Sequence, residues 1–316
     1  MPVREALTRV VLGLNLKMCF FTISNSLAAV FLYSDDSEGS NDRIHDKCMH
    51  LSVINILSTL LAISADGASL WKTTTPSTTQ STLSDLHYQI AGKLELGVSP
   101  VSLPSDCHTC HKVDACANDP FHALSCQGQT GKEITLRHNC VVNDLYRGIQ
   151  NCGGSVLKEP QNLSHKGDAT RPDLQVVIGG EQVLIDVTIR NPTCPSYYDV
   201  KGGSAEEQLH STKVAENQKC KKYSDMAKSQ GAKFIPFAVE MYGGMGKSAK
   251  QLIKLINKCA RDQMLMWPYQ QLIQNLKGDI AISIQRGNAI AILAGYNSAL
   301  SKSASMLQQG GVAAIA

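Results

Sequence analysis

The run Arg171-Pro172-Asp173-Leu174-Gln175-Val176-Val177-Ile178-Gly179-Gly180-Glu181-Gln182-Val183-Leu184-Ile185-Asp186-Val187-Thr188 decides the fold. Gly179-Gly180 is a two-residue connection that accepts positive φ, and alternating apolar residues flank it. The run therefore reads as a β-hairpin. Folded about the centre of that turn, Asp173 and Asp186 lie equally far from it and become directly opposed. Gln175 then faces Leu184, and Val177 faces Gln182. Leu174, Val176, Ile178, Val183, Ile185 and Val187 share the other face, broken only by Glu181 at the turn. Such period-two alternation marks a face to be buried. Opposed side chains in an antiparallel ladder sit roughly 5 Å apart, where like charges repel. Two carboxylates held there need a cation or a shared proton. Mg²⁺ is the fitting cation, being bound by one or two carboxylates plus water and substrate phosphate. The plain alternative is a solvated hairpin edge with an Asp at each base.

Upstream, Ser155-Val156-Leu157-Lys158-Glu159-Pro160 is a short strand-like segment that supplies a third carboxylate, Glu159. Thr188, two residues after Asp186, points to the same face. These residues resemble the PD-(D/E)xK nucleases, the fold of many restriction enzymes. The nearer resemblance is to the restriction-like endonuclease domain at the C-terminus of site-specific non-LTR retrotransposon proteins. Those carry Arg/Lys-Pro-Asp, a dozen or so residues, and then an acid. Here Arg171-Pro172-Asp173 is followed by twelve residues and Asp186. The lysine usual two positions after the second acid is Thr188 in this chain. In the retrotransposon branch that lysine lies later, in a Lys-x-x-Lys-Tyr helix, and this chain has Lys219-Cys220-Lys221-Lys222-Tyr223.

The resemblance covers roughly residues 75–295. It implies an α/β, PD-(D/E)xK restriction-endonuclease-like core, a mixed sheet flanked by helices, with a small zinc module and a helical N-terminal extension. It implies a metal-dependent endonuclease that nicks target DNA to prime reverse transcription. Asp173, Asp186 and Glu159 would hold Mg²⁺ or Mn²⁺. Lys222 is the first choice for the cation facing the scissile phosphate, and Lys219, one turn earlier on the same face, is the reserve. The implied partners are DNA and the element's RNA, in the nucleus, with no small-molecule cofactor and no membrane. A zinc-dependent nucleic-acid-binding remnant without catalysis is the second reading, and a structural protein with neither metal is the third.

Residues 101–138 carry a second constellation. Cys107-His108-Thr109-Cys110 is followed by His122 and Cys126, with Cys116 and His138 in reserve. Cys-x₂-Cys with a later His-x₃-Cys can close a tetrahedral zinc site, and four protein ligands make it structural rather than catalytic. The resemblance supports such a Cys-Cys-His-Cys motif just ahead of the nuclease. Buried free thiols and a core histidine are the plain alternative. Eleven cysteines is an odd number, and their clustering with histidine suggests metal rather than disulfides in an intracellular protein.

The rest of the chain frames these two sites. A net charge of +3 is too mild to argue nucleic-acid binding by itself. Residues 1–47 form a poorly defined N-terminal segment and linker. Its apolar stretch is interrupted by Arg9, Asn15, Lys17, Asn25 and Ser26, which disfavours a membrane-spanning helix of about 20 apolar residues. Residues 48–100 read as helical, over 48–64 and 83–96, with Leu83, Leu86, Ile90 and Leu94 as the second stripe. The nuclease domain spans 139–300, with a tail over 301–316. Its first helix reads as 138–152, striped by Val142, Leu145, Ile149 and Cys152, with Arg137 and His138 at its start, either solvated or in contact with a phosphate at the positive end of the helix dipole. Further helices read as 204–229, 247–263, 267–277 and 279–300. Between the first two of these runs a strand, 234–240, and Pro236 marks it as an edge or a bulge. Gly246-Lys247-Ser248 approaches a P-loop, but Met241 stands where the leading glycine belongs. No segment offers a polymerase's paired aspartates, since Asp35-Asp36 falls in the polar linker.

Overall fold

The computed structural model describes residues 54–76, 81–99, 106–107, 109–113, 119, 121–126, 128, 132–161, 163, 171–198, 202–263 and 268–310. The apolar N-terminal stretch, the polar linker, Cys116 and the end of the tail fall outside them. The chain is a mixed α/β protein: a four-stranded mixed sheet flanked by helices. The elements are α1 (Asp85–Glu95), α2 (Lys132–Asn151), β1 (Ser155–Lys158), β2 (Leu174–Ile178), β3 (Glu181–Arg190), α3 (Pro195–Tyr198), α4 (His210–Ser229), β4 (Lys233–Glu240), α5 (Lys247–Asp262) and α6 (Tyr269–Gly310). Residues 54–63 are helical ahead of them.

The hairpin register is the one the Gly-Gly turn dictates. Gln175 pairs with Leu184 and Val177 with Gln182, and both turn glycines take positive φ, 57° and 80°. The alternating face is buried along its whole length, from Leu174 to Val187. It packs against α2, α5 and α6 in one cluster that includes Leu145, Ile149, Leu252, Ile256, Ile280 and Ile284. Strand order is β1-β2-β3-β4, antiparallel except for β4, which runs parallel to β3. A parallel neighbour needs a crossover helix, and α4 is that crossover, packed on the opposite face from α2 and α5. Pro236 sits in β4, an edge strand, where its missing N–H costs no ladder bond.

Several sequence readings shift. Helix α2 begins at Lys132, not near 138, so Arg137 lies inside it. Arg137 is buried, not solvent-facing: its Nη1 donates to Asn288 Oδ1 at 2.6 Å, and burial lowers its pKa to about 10. It ties α2 to α6 and is not a phosphate contact. Leu86 is half exposed, so the α1 stripe reduces to Ile90 and Leu94 with Leu83 at its edge. Helix α4 starts at His210 rather than 204. The two C-terminal helices are one helix, α6, which passes through Gly278. A Cβ there would overlap Thr74, so the glycine serves close packing and not helix termination.

Gly287 works in the same way at the α2–α6 seam. A Cβ on it would overlap Arg137 Cβ and Cγ and press on its backbone Cα. Gly287→Ala should force the helices apart and cost about 1–3 kcal/mol, read by urea unfolding. An unchanged midpoint and slope would remove the seam from this account.

Glu240, at the end of β4, is 1 % exposed. Ser211 Oγ donates to its Oε1 at 2.8 Å, and Oε2 has no partner among the described residues. Burial pushes its carboxyl up to about 7, against the Ser211 bond. The unfolded chain releases that proton near pH 4.3. Between those values the folded state holds the extra proton, so stability falls as pH rises through the window and stays lower above it. Glu240→Gln should match wild type at pH near 4 and exceed it by about 3–4 kcal/mol at pH near 8. Parallel pH profiles for the two proteins would contradict this.

Candidate functional site: opposed carboxylates and a Cys/His metal cluster

Asp186 lies on the half-covered side of β3, opposite Pro236 of β4 and 4 % exposed. Asp173 immediately precedes β2, at the register position that faces Asp186. One oxygen of Asp173, Oδ2, accepts from the Val187 backbone N–H at 2.6 Å. The same oxygen meets His138 Nε2 at 3.2 Å. Lys219 Nζ approaches Asp186 Oδ2 at 2.6 Å, although off the line of a directed hydrogen bond.

Each carboxylate thus has a basic neighbour from a different helix, His138 from α2 and Lys219 from α4. Burial works against the charged His138 ring. The hydrogen bond and charge of Asp173, the Asn139 hydrogen bond and the charge of Asp186 outweigh it, and its pKa is raised. Tyr223 closes the floor. Its hydroxyl donates to the Arg171 carbonyl at 3.0 Å, and its ring stacks on Phe234 at 5.0 Å between centroids. Burial first, then the hydrogen bond and charge of Asp186 and the charge of Asp173, hold this phenol well above its ordinary range. Tyr223 is therefore a neutral donor that anchors α4 to the residues preceding Asp173.

The two lysines divide differently from the order the motif suggests. Lys219, the reserve, is the one at Asp186. Lys222 is exposed, with its ammonium over the Tyr223 ring at 4.9 Å. Thr188 is buried beside Asp186 on the same strand face. Glu159 sits one residue past β1 at φ 43°, and its backbone N–H donates to the Asp173 carbonyl at 2.8 Å. Its side chain turns to Arg171 Nη2 at 2.8 Å, on an open surface. Among the described residues the three acids do not form a joint metal-holding group. An exposed pair of that kind is worth about 0–1 kcal/mol, so a rotation of Glu159 towards the aspartates costs little. His138 was missed as a neighbour of this site because its partner Asp173 is 35 residues away; only the α2 packing brings it there.

The second constellation assembles. Cys107, Cys110, His122 and Cys126 form a cluster that could hold a metal ion such as zinc, with ligand atoms all within 4.8 Å of one another. Cys107 Sγ lies 3.7 Å from Cys126 Sγ, and Cys110 Sγ lies 3.2 Å from His122 Nε2. A tight turn sets the first pair: His111 takes φ 60°, its N–H donates to the Cys107 carbonyl, and the Cys107 N–H donates to the Lys112 carbonyl. His122 opens a single 3₁₀ turn, His122–Leu124, that presents the second pair. Burial raises the Cys107 thiol, but hydrogen bonds from the Cys110 and Thr109 backbone and with the Cys110 and Cys126 side chains outweigh it, so its pKa is lowered and the thiol gives up its proton more readily. Burial, then the Lys112 charge, lowers the His122 pKa and keeps the ring neutral. Thiolates and a neutral imidazole are the donors zinc takes. His138 is not part of this cluster, so its place as a reserve zinc ligand falls away. Comparison of the chain with protein-family models and with curated proteins gives no match.

Proposed function

We propose that this chain is a Mg²⁺- or Mn²⁺-dependent DNA endonuclease with a PD-(D/E)xK restriction-like core, of the kind that nicks target DNA for a non-LTR retrotransposon. The observation that carries the reading is the opposed Asp173/Asp186 pair with Lys219 Nζ 2.6 Å from Asp186. The element order α2-β1-β2-β3-α4-β4, with β4 parallel to β3, supports the same core.

Asp173 and Asp186 would hold the metal, with Glu159 joining them by leaving Arg171. Carboxylate oxygens are the hard donors that Mg²⁺ and Mn²⁺ take. The bound ion supplies charge neutralisation and a more acidic water. The protein's own groups do the rest. His138 and the Val187 N–H fix the Asp173 carboxylate. Lys219 meets the negative charge that grows on the scissile phosphate, where a preorganised cation acts most strongly. Priming needs a free 3′-hydroxyl, so water adds to phosphorus and the bond to O3′ breaks. The zinc module aligns the nucleic acid.

The second reading, a zinc-dependent nucleic-acid-binding protein without catalysis, has one observation in its favour. Each aspartate already has a basic side chain of the protein against it, His138 at Asp173 and Lys219 at Asp186. Conversion of supercoiled plasmid to open circle in Mg²⁺ separates the two. Nicking that Asp186→Ala abolishes supports the endonuclease, and binding without nicking supports the second reading.

A further inference from the structure

Helix α5 buries Ala249, Leu252, Ile253, Ile256 and Ala260 against the sheet. Its other side carries Lys247, Lys250, Lys254, Lys258 and Arg261, spaced by three, four, four and three residues. At 3.6 residues per turn these five cations fall within about 80° of arc and run about 21 Å along the axis. Lys277 of α6 joins them across a cleft of 350 Å³ whose lining also includes Lys250, Lys254 and Gln274.

The acids nearby are few. Asp66, itself exposed, pairs with Lys250 at 3.3 Å, and Asp262 meets Arg261 at 3.5 Å. Glu181 feels Lys258 but is already paired with Lys233 at 2.8 Å. Glu216 lies towards Lys247. Lys254 and Lys277 have no acidic partner among the described residues. A chain of net charge +3 thus concentrates a positive surplus on one surface.

We propose that the outer face of α5, with Lys277, is a second nucleic-acid surface, on the face of the sheet opposite the Asp186 side chain. It takes the phosphodiester backbone without reading sequence. A straight row of flexible ammonium groups fits a regular row of phosphates, and lysine contacts phosphate as a point charge. The stripe is mainly lysine ammonium groups, with Gln251 and Asn257 only at its edges, so the contact chiefly positions the nucleic acid. An anionic membrane is the poorer match, because the apolar side of α5 is already spent on the core and leaves nothing to insert. This surface does not depend on cleavage: it includes neither aspartate, so it holds nucleic acid whether or not they act on it.

The test is binding of a labelled duplex of arbitrary sequence in EDTA, where no cleavage occurs, across a salt series. Each lost phosphate contact reduces the slope of log affinity against log salt by about 0.9 for duplex DNA and about 0.7 for a single strand. Lys254→Ala/Lys258→Ala should therefore lose about 1.8 units of slope on duplex DNA, or about 1.4 on single-stranded RNA. The gap between wild type and this variant should narrow about tenfold from roughly 50 to 200 mM salt. Both lysines are exposed, so the fold is retained. A charge-matched control, Lys93→Ala/Lys132→Ala, should keep the wild-type slope. Equal slopes for wild type and the α5 variant overturn the proposal. So does capture by phosphatidylserine vesicles with no binding of either nucleic acid. Because the readout is binding in EDTA, loss of this surface and loss of the nuclease are separate results.

Discussion

Cys126→Ser is expected to lose the metal and, with it, the turns that hold Cys107, Cys110, His122 and Cys126 together. Cys126 and Cys107 are buried thiols 3.7 Å apart, and a serine hydroxyl cannot replace the soft thiolate that zinc takes from that position. Binding to a structural Cys/His site is coupled to folding and is worth roughly 10–16 kcal/mol. That equals or exceeds the whole stability of an ordinary domain, about 5–15 kcal/mol. The loss should spread. Phe121, Ala123 and Leu124, held by the same turn as His122, pack with Ile90, Leu94, Met241, Tyr242 and Ile292. Elemental analysis should find about one zinc in wild type and none in the variant, with a fall in melting temperature. Cys140→Ser, a half-buried thiol on α2 outside the cluster, should keep the metal. A folded, metal-free wild-type protein would contradict the site.

The second large effect is at Lys219. Its ammonium is the counter-ion of a carboxylate with 5 % side-chain exposure, and Lys222, three residues on, is turned outwards. Lys219→Met keeps the alkyl stem and removes only the charge. In single-turnover nicking it should lower the rate about 100-fold or more, the usual scale for removing a transition-state contact, with DNA affinity little changed. Removing one partner of a buried pair also costs about 3–5 kcal/mol, because the remaining charge is uncompensated. Mg²⁺ should therefore raise the melting temperature of Lys219→Met more than that of wild type, by supplying the missing charge. Lys222→Ala should nick at close to the wild-type rate. The reverse order of effects would return the role to Lys222.

These two sites differ in how far the sequence reveals them. The hairpin register was legible because a Gly-Gly turn and strict alternation leave one way to bury Leu174, Val176, Val183 and Ile185, and that register opposes the aspartates. The Cys/His cluster was legible because its ligands come in two short-range pairs. The helix faces were less so. Spacing puts Lys219 and Lys222 on one face, and only the packing of α4 on β3 and β4 separates them. Arg137 read as a solvated residue or a phosphate contact because its partner Asn288 lies 151 residues away. The stretch 267–300 read as two helices, parted at residue 278, because local propensity carries no trace of Thr74 packed on Gly278. In each case the deciding contact is long-range, which a local pattern does not hold.

The most direct measurement is nicking of supercoiled plasmid by wild type and Asp186→Ala, each with Mg²⁺ and with EDTA. The endonuclease reading predicts open-circle product only from wild type with Mg²⁺. Asp186→Ala should be inactive and, without metal, no more stable than wild type: it relieves the repulsion with Asp173 but leaves the Lys219 ammonium without its partner. Equal nicking by the variant, or none by wild type in Mg²⁺ or Mn²⁺, would contradict it.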